Sequence, residues 1–194
     1  MSRKSSYILK LNHKDEELLR VLKNSQHMSQ EQALLIVSRT RLDKFCKEGV
    51  LAKVHYIDKG RQATAYELTH KGRDFITKNL PHLVGGGFYQ SRTAIRHNIC
   101  LANQVMAHSQ SRWVNERELR EMMADRVVDA AEMRFHYLKY LEQHKISPAD
   151  GGYINKSGEL CLVEIINSNY TTVQIQSKEA FAELMNCSIQ FIKE

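Results

Sequence analysis

Two acids stand out in the sequence as candidate metal ligands: Asp150, in Pro148-Ala149-Asp150-Gly151, and Glu164, in Leu162-Val163-Glu164-Ile165-Ile166. The turn sequence Asn155-Lys156-Ser157-Gly158 lies between them. An Asp at a strand start and a Glu on the hairpin partner can converge on one Mg²⁺ or Mn²⁺. Such hard ions take carboxylates, main-chain carbonyls and water, and they activate water against a phosphodiester. The bland reading is a turn at Asp150-Gly151 and a strand-edge charge at Glu164. A carboxylate among Leu162, Val163, Ile165 and Ile166 is nevertheless costly to bury alone, so a cation or cationic side chain is expected beside it.

A second set of residues is cationic. Lys plus Arg number 28 against 22 Asp plus Glu, a net +6 that suggests a polyanionic partner. Residues 1–80 hold 16 basic and 9 acidic side chains, or +7, and residues 81–194 hold 12 and 13, or −1. Arg39, Thr40, Arg41 and Lys44 open a helix whose Leu42, Phe45 and Cys46 share the other face. Lys53, Lys59 and Arg61 fall on a predicted hairpin, Val50–Ile57 and Ala63–Leu68 around Asp58-Lys59-Gly60-Arg61-Gln62. Short polar and cationic side chains at a helix start suit base edges in the DNA major groove, and Lys and Arg suit phosphates.

The elements that must position these groups divide near Pro81 and Gly85-Gly86-Gly87, which cannot continue a helix. Residues 1–80 are read as one domain, 81–90 as a linker and 91–194 as a second domain, together an α+β chain. Asn12 caps a first helix bearing Leu18, Leu19, Val21 and Leu22, and Ser29 with Gln32 forms a capping box for a short second helix. Gly49 ends the basic third helix, and helical spacing resumes over Leu68–Ile76. In the second domain, helices are predicted over 91–110, over Trp113–Met123 with a cap at Asn115, and over Ala130–Gln143. A meander of strands then follows at 152–154, 160–166 and 171–175, and a terminal helix from Ser177 whose spacing runs to Phe191-Ile192-Lys193-Glu194.

The plan of three helices, a hairpin and a helix resembles the winged helix-turn-helix of many bacterial DNA-binding proteins. Lys47-Glu48-Gly49-Val50-Leu51 before the hairpin and Tyr66-Glu67-Leu68-Thr69 with Lys71-Gly72-Arg73 after it carry that resemblance. Pro148-Ala149-Asp150-Gly151, the hairpin and Val163-Glu164-Ile165 resemble the core of the PD-(D/E)xK nucleases, the restriction-endonuclease-like fold. That likeness implies Asp150 and Glu164 as metal ligands, the Ile165 carbonyl as a third, and a catalytic Lys. Ile166 stands at the usual Lys position, so a migrated Lys178 is implied, and Glu132 is available as a further carboxylate.

Together with His97, Trp113, Glu116 and Leu119, the whole order resembles the plasmid replication-relaxation family and the C-class mobilisation relaxases. A cytoplasmic protein is expected from the lack of a signal-peptide core, and the resemblance implies one of a mobile element that binds double-stranded DNA at an origin, with single-stranded DNA and relaxosome proteins as further partners, and either nicks one strand with Asp150, Glu164 and Lys178 or helps another enzyme to do so. A non-enzymatic accessory factor for conjugation or replication and a winged-helix transcriptional regulator are the alternatives.

Other chemistries lack their residues. The nine His stand singly, and Val84-Gly85-Gly86-Gly87-Phe88 has no Lys for a phosphate loop. Tyr170, in Asn167-Ser168-Asn169-Tyr170, is read as a turn residue. Cys46, Cys100, Cys161 and Cys187 are spaced for neither a zinc site nor a disulfide scaffold. No apolar run approaches the length of a membrane span, and Tyr7-Ile8-Leu9 is too short for a signal-peptide core.

Overall fold

A computed structural model of the chain describes residues 10–89, 94–128, 139–140, 143 and 145–194. The protein is α+β and divides into two compact units, residues 1–106 and 107–194.

In the first unit Asn12 caps α1 (His13–Ser25) with a reciprocal Asp15 contact, and Ser29 with Gln32 does the same for α2 (Gln30–Ile36). Ser38 caps α3 (Arg39–Lys47). The chain then turns back through β2 (Leu51–Asp58) and β3 (Arg61–Leu68) before α4 (His70–Asn79). The hairpin loop is tighter than the five-residue turn expected. Only Lys59 and Gly60 lie outside the strands, both at positive φ, as a two-residue loop matched to strand twist requires. A short β1 (His27–Ser29), absent from the sequence reading, pairs with β3 and gives a three-stranded antiparallel sheet ordered β1-β3-β2. Leu18, Leu22, Met28, Leu42, Phe45, Tyr66 and Ile76 are fully buried.

Helix α5 (Ile95–Ala107) belongs to this unit, although the sequence reading assigned it to the second domain. Its buried polar groups explain the placement. Gln32 Nε2 donates to Ile99 O at 2.9 Å and to Asn103 Oδ1 at 2.6 Å, and Asn98 Nδ2 lies 2.8 Å from His27 Nδ1. The charge division moves with the boundary: residues 1–106 carry 18 basic against 9 acidic side chains, or +9, and residues 107–194 carry 10 against 13, or −3.

The second unit is a four-stranded sheet ordered β4-β5-β6-β7, antiparallel except for its last pair. Its strands are β4 (Arg112–Asn115), β5 (Gly151–Ile154), β6 (Leu160–Ile166) and β7 (Ser188–Lys193). Helix α6 (Glu116–Val128) follows β4, and α7 (Thr172–Met185) crosses from β6 to the parallel β7. Three expectations are corrected here. Trp113 and Val114 form strand rather than the first turn of a helix, whose cap is Asn115 as expected. Residues 171–175 begin α7 rather than a third meander strand, because Thr171 and Gln174 close a capping box. The terminal residues Phe191–Lys193 are strand, since Asn186 in the left-handed conformation ends α7 before them. The helix expected over 130–143, with Glu132, lies largely outside the described residues.

Gly151 and Gly152 are strand residues and not a turn. A Cβ on Gly151 would stand 2.7 Å from Trp113 Cζ2, and one on Gly152 would stand 2.7 Å from the Cys161 carbonyl oxygen. Small residues are therefore required where β5 passes between β4 and β6. Val114, Leu119, Met123, Leu162, Phe181 and Met185 pack as the apolar core of this unit.

Candidate functional site

Strand register brings the two acids together. Gly151 pairs with Val163 in the β5–β6 hairpin, so Asp150, one residue before β5, stands opposite Glu164. Each then binds the other's strand: Asp150 N donates to Glu164 Oε2 at 2.9 Å, and Ile165 N donates to Asp150 Oδ2 at 2.8 Å. Both side chains are buried, Glu164 to 1% exposure.

Lys178, two turns into α7, completes the cluster. Its Nζ lies 2.8 Å from Glu164 Oε1 and donates to Pro148 O at 2.6 Å. The three residues that the sequence put forward for chemistry therefore meet at one place. Ile165, whose carbonyl is the expected third metal ligand, donates its amide N–H to Asp150. Tyr170 is a member the sequence reading missed. An Asn167-centred turn, with Asn169 N on Asn167 Oδ1 and Tyr170 N on Asn167 O, folds the segment back so that the Tyr170 hydroxyl donates to Glu164 Oε1.

Burial, then the neighbouring Asp150 carboxylate, push the Glu164 carboxyl above its ordinary range, against the opposing pull of Lys178 and Tyr170. Oε1 takes two donors and Oε2 one. Of the two oxygens it is thus Oε2, adjoining Asp150, that retains capacity for a cation. Two carboxylates with carbonyl and water oxygens suffice for Mg²⁺. Among the described residues no group of three or more His, Cys, Asp or Glu side chains gathers into a metal cage. The cluster borders an open cleft of about 530 Å³ whose lining includes Pro148, Tyr170 and Lys178.

The DNA-contact candidates of the first unit separate into two kinds. Arg39, Thr40, Lys44, Lys53, Lys59 and Arg61 are exposed, with Lys53 in a surface pair 3.3 Å from Asp43. Arg41 is different and corrects its expected outward placement. Its Nε donates to Asp15 Oδ1 at 2.8 Å and its Nη2 to Asp15 Oδ2 at 2.6 Å, and Asp15 is wholly buried. The guanidinium also caps the Phe45 ring at 5.4 Å. Arg41→Ala is accordingly expected to destabilise the protein by about 2 kcal/mol in urea denaturation, since it strands a buried carboxylate. An unchanged midpoint would mean that the pair is not structural.

Cys46, Cys100, Cys161 and Cys187 form no disulfide, and burial pushes the Cys187 thiol up to about 11. No described helix is long and apolar enough to cross a membrane. No family model, curated protein or solved structure matches the chain.

Proposed function

We propose that this chain is an origin-binding DNA-processing protein of a plasmid or other mobile element, relaxase-like, that nicks one strand with Mg²⁺ or Mn²⁺. The observation that carries this reading is the meeting of Asp150, Glu164 and Lys178 at one buried point next to a cleft. A winged helix-turn-helix is supported by the order of α1, α2, α3 and the β2–β3 hairpin with β1 beside β3. A restriction-endonuclease-like core is supported by the mixed sheet in which a hairpin carries the acids and α7 crosses to a parallel strand.

In this reading Asp150 and Glu164 hold the ion. A bound Mg²⁺ or Mn²⁺ supplies Lewis-acid polarisation of the phosphoryl oxygen and a water of lowered pKa. Lys178 pairs with Glu164 Oε1 and fixes its orientation, and Tyr170 donates to the same oxygen. Ala149 packs into the core and keeps Asp150 at the mouth of the hairpin.

Duplex capture falls to the exposed cations of the first unit. Replacing Lys44, Lys59 and Arg61 together by Ala is expected to reduce the slope of log affinity against log salt by about 2 to 3, near 0.9 per lost phosphate contact. Fluorescence anisotropy over a salt series measures it, and an unreduced slope would remove this face from the DNA contact. Nicking is tested by selecting bound fragments from replicon DNA, placing one in a supercoiled plasmid and incubating with Mn²⁺. Nicked circles support the reading.

A second reading is a non-enzymatic relaxosome or replication accessory protein. It is favoured by Ile166 at the usual Lys position and by the two-acid, rather than three-acid, cluster among the described residues. Stable origin binding with no nicked product under Mn²⁺ would select it.

A further inference from the structure

We propose that the cleft beside Asp150 and Glu164 seats the backbone phosphate of a single DNA strand, and that Arg120 is its cationic contact. The second unit is net acidic, at 10 basic against 13 acidic side chains. Its cleft departs from that balance. Among the described residues Arg120 and Lys178 line it and no Asp or Glu does, and Ser147, Tyr170 and Gln174 add neutral polar side chains. A half-exposed guanidinium in a concave site is a group that draws anions.

The two cations differ in what they can release. Lys178 is nearly buried and bridges Glu164 Oε1 and Pro148 O, so moving it would leave a buried carboxylate uncompensated. Arg120 is half exposed, and its described partner is Glu116 one helical turn away, with Nη2 to Oε1 at 2.7 Å. An exposed i,i+4 pair of this kind is worth only about 0.3–0.5 kcal/mol, so a phosphate can take Glu116's place. A guanidinium also offers the forked donors that match two phosphate oxygens. About 530 Å³ is within the usual size of small-ligand sites.

The inference deepens the reading of the second unit as one that acts on DNA, and its test is independent of nicking. The full-length protein is first saturated with unlabelled duplex, so that the basic face of the first unit is occupied. Binding of a labelled hexathymidylate is then followed by anisotropy. Wild type is expected to bind it, Arg120→Ala to bind about tenfold more weakly with a salt slope lower by about 0.7, and Arg120→Lys to recover part of the loss. Glu116→Gln frees the guanidinium and is expected to strengthen binding about twofold. Duplex affinity and the thermal midpoint of Arg120→Ala stay at wild-type values, as suits an exposed helix position taking a good helix former.

Equal oligonucleotide binding by wild type and Arg120→Ala would overturn the proposal. So would failure of the wild-type protein to bind the hexathymidylate. Loss of nicking in the plasmid assay with the Arg120 and Glu116 effects intact would sink the nuclease reading alone.

Discussion

Asp150→Asn is expected to lower Mn²⁺-dependent nicking by on the order of 10³-fold while leaving duplex affinity within about twofold of wild type. Asn retains a side-chain oxygen for the Ile165 N–H, so the β5–β6 junction keeps its hydrogen bond and the loss reports charge. Glu164→Gln is expected to act in the same direction, because each residue supplies one of two carboxylates and neither can replace the other. Mn²⁺ binding followed by electron paramagnetic resonance gives a second measurement that does not depend on turnover. Wild type should remove free Mn²⁺ signal, and each variant should remove far less. Nicking by both variants at wild-type rate would eliminate the metal assignment, and equal Mn²⁺ binding by all three would eliminate the ligands even if nicking fell.

The expectation is this large because the two acids are held by the same register that defines the hairpin, and the hairpin, though not its register, was legible in the sequence. Asn155-Lys156-Ser157-Gly158 between two apolar runs fixes a hairpin, but counting outward from that four-residue turn would set Asp150 opposite Val163; the loop also takes in Glu159, whose carbonyl accepts from Asn155 N, and this brings Asp150 opposite Glu164. The caps at Asn12, Ser29 and Asn115 were legible, since each side chain serves an amide three residues on. Residues 171–175 misled for a physical reason. Thr171, Thr172 and Val173 are β-branched and favour strand locally, but Thr171 with Gln174 satisfies orphan amides at a helix start, and that contact wins. The error concerned the element and not the chemistry, because Lys178 lies on α7 under either boundary.

Arg41 shows a different limit. It opens α3 among exposed cations, yet it stands four residues before the buried Phe45 and so borders the inward face. What draws it inward is Asp15 on α1, a partner no local pattern could reveal. Long-range pairs also govern β1 and β7, whose partners lie on β3 and β6. Short strands of this kind acquire their identity from an existing edge more than from their own composition. Tyr170 was illegible for the same reason, since its role depends on the fold-back of 167–170 onto Glu164.

Lys178→Met is expected to destabilise the protein by about 3 kcal/mol, and adding Glu164→Gln to restore most of that loss. Removing Lys178 leaves Glu164 charged at 1% exposure with Asp150 beside it, whereas neutralising both partners leaves no buried charge to compensate. The pH dependence follows from the same group. Glu164 binds a proton more tightly folded than unfolded, so stability falls as pH rises from the ordinary carboxyl range through its raised folded value. Lys178→Met removes an opposing attraction and should enlarge that fall, and Glu164→Gln should abolish this component of it. Urea denaturation from pH 4 to pH 8 measures both effects. A double variant no more stable than Lys178→Met would show that Lys178 acts through packing instead of charge. A stable double variant that binds duplex but does not nick would separate the energetic role of the pair from its chemical one, which neither single variant can do.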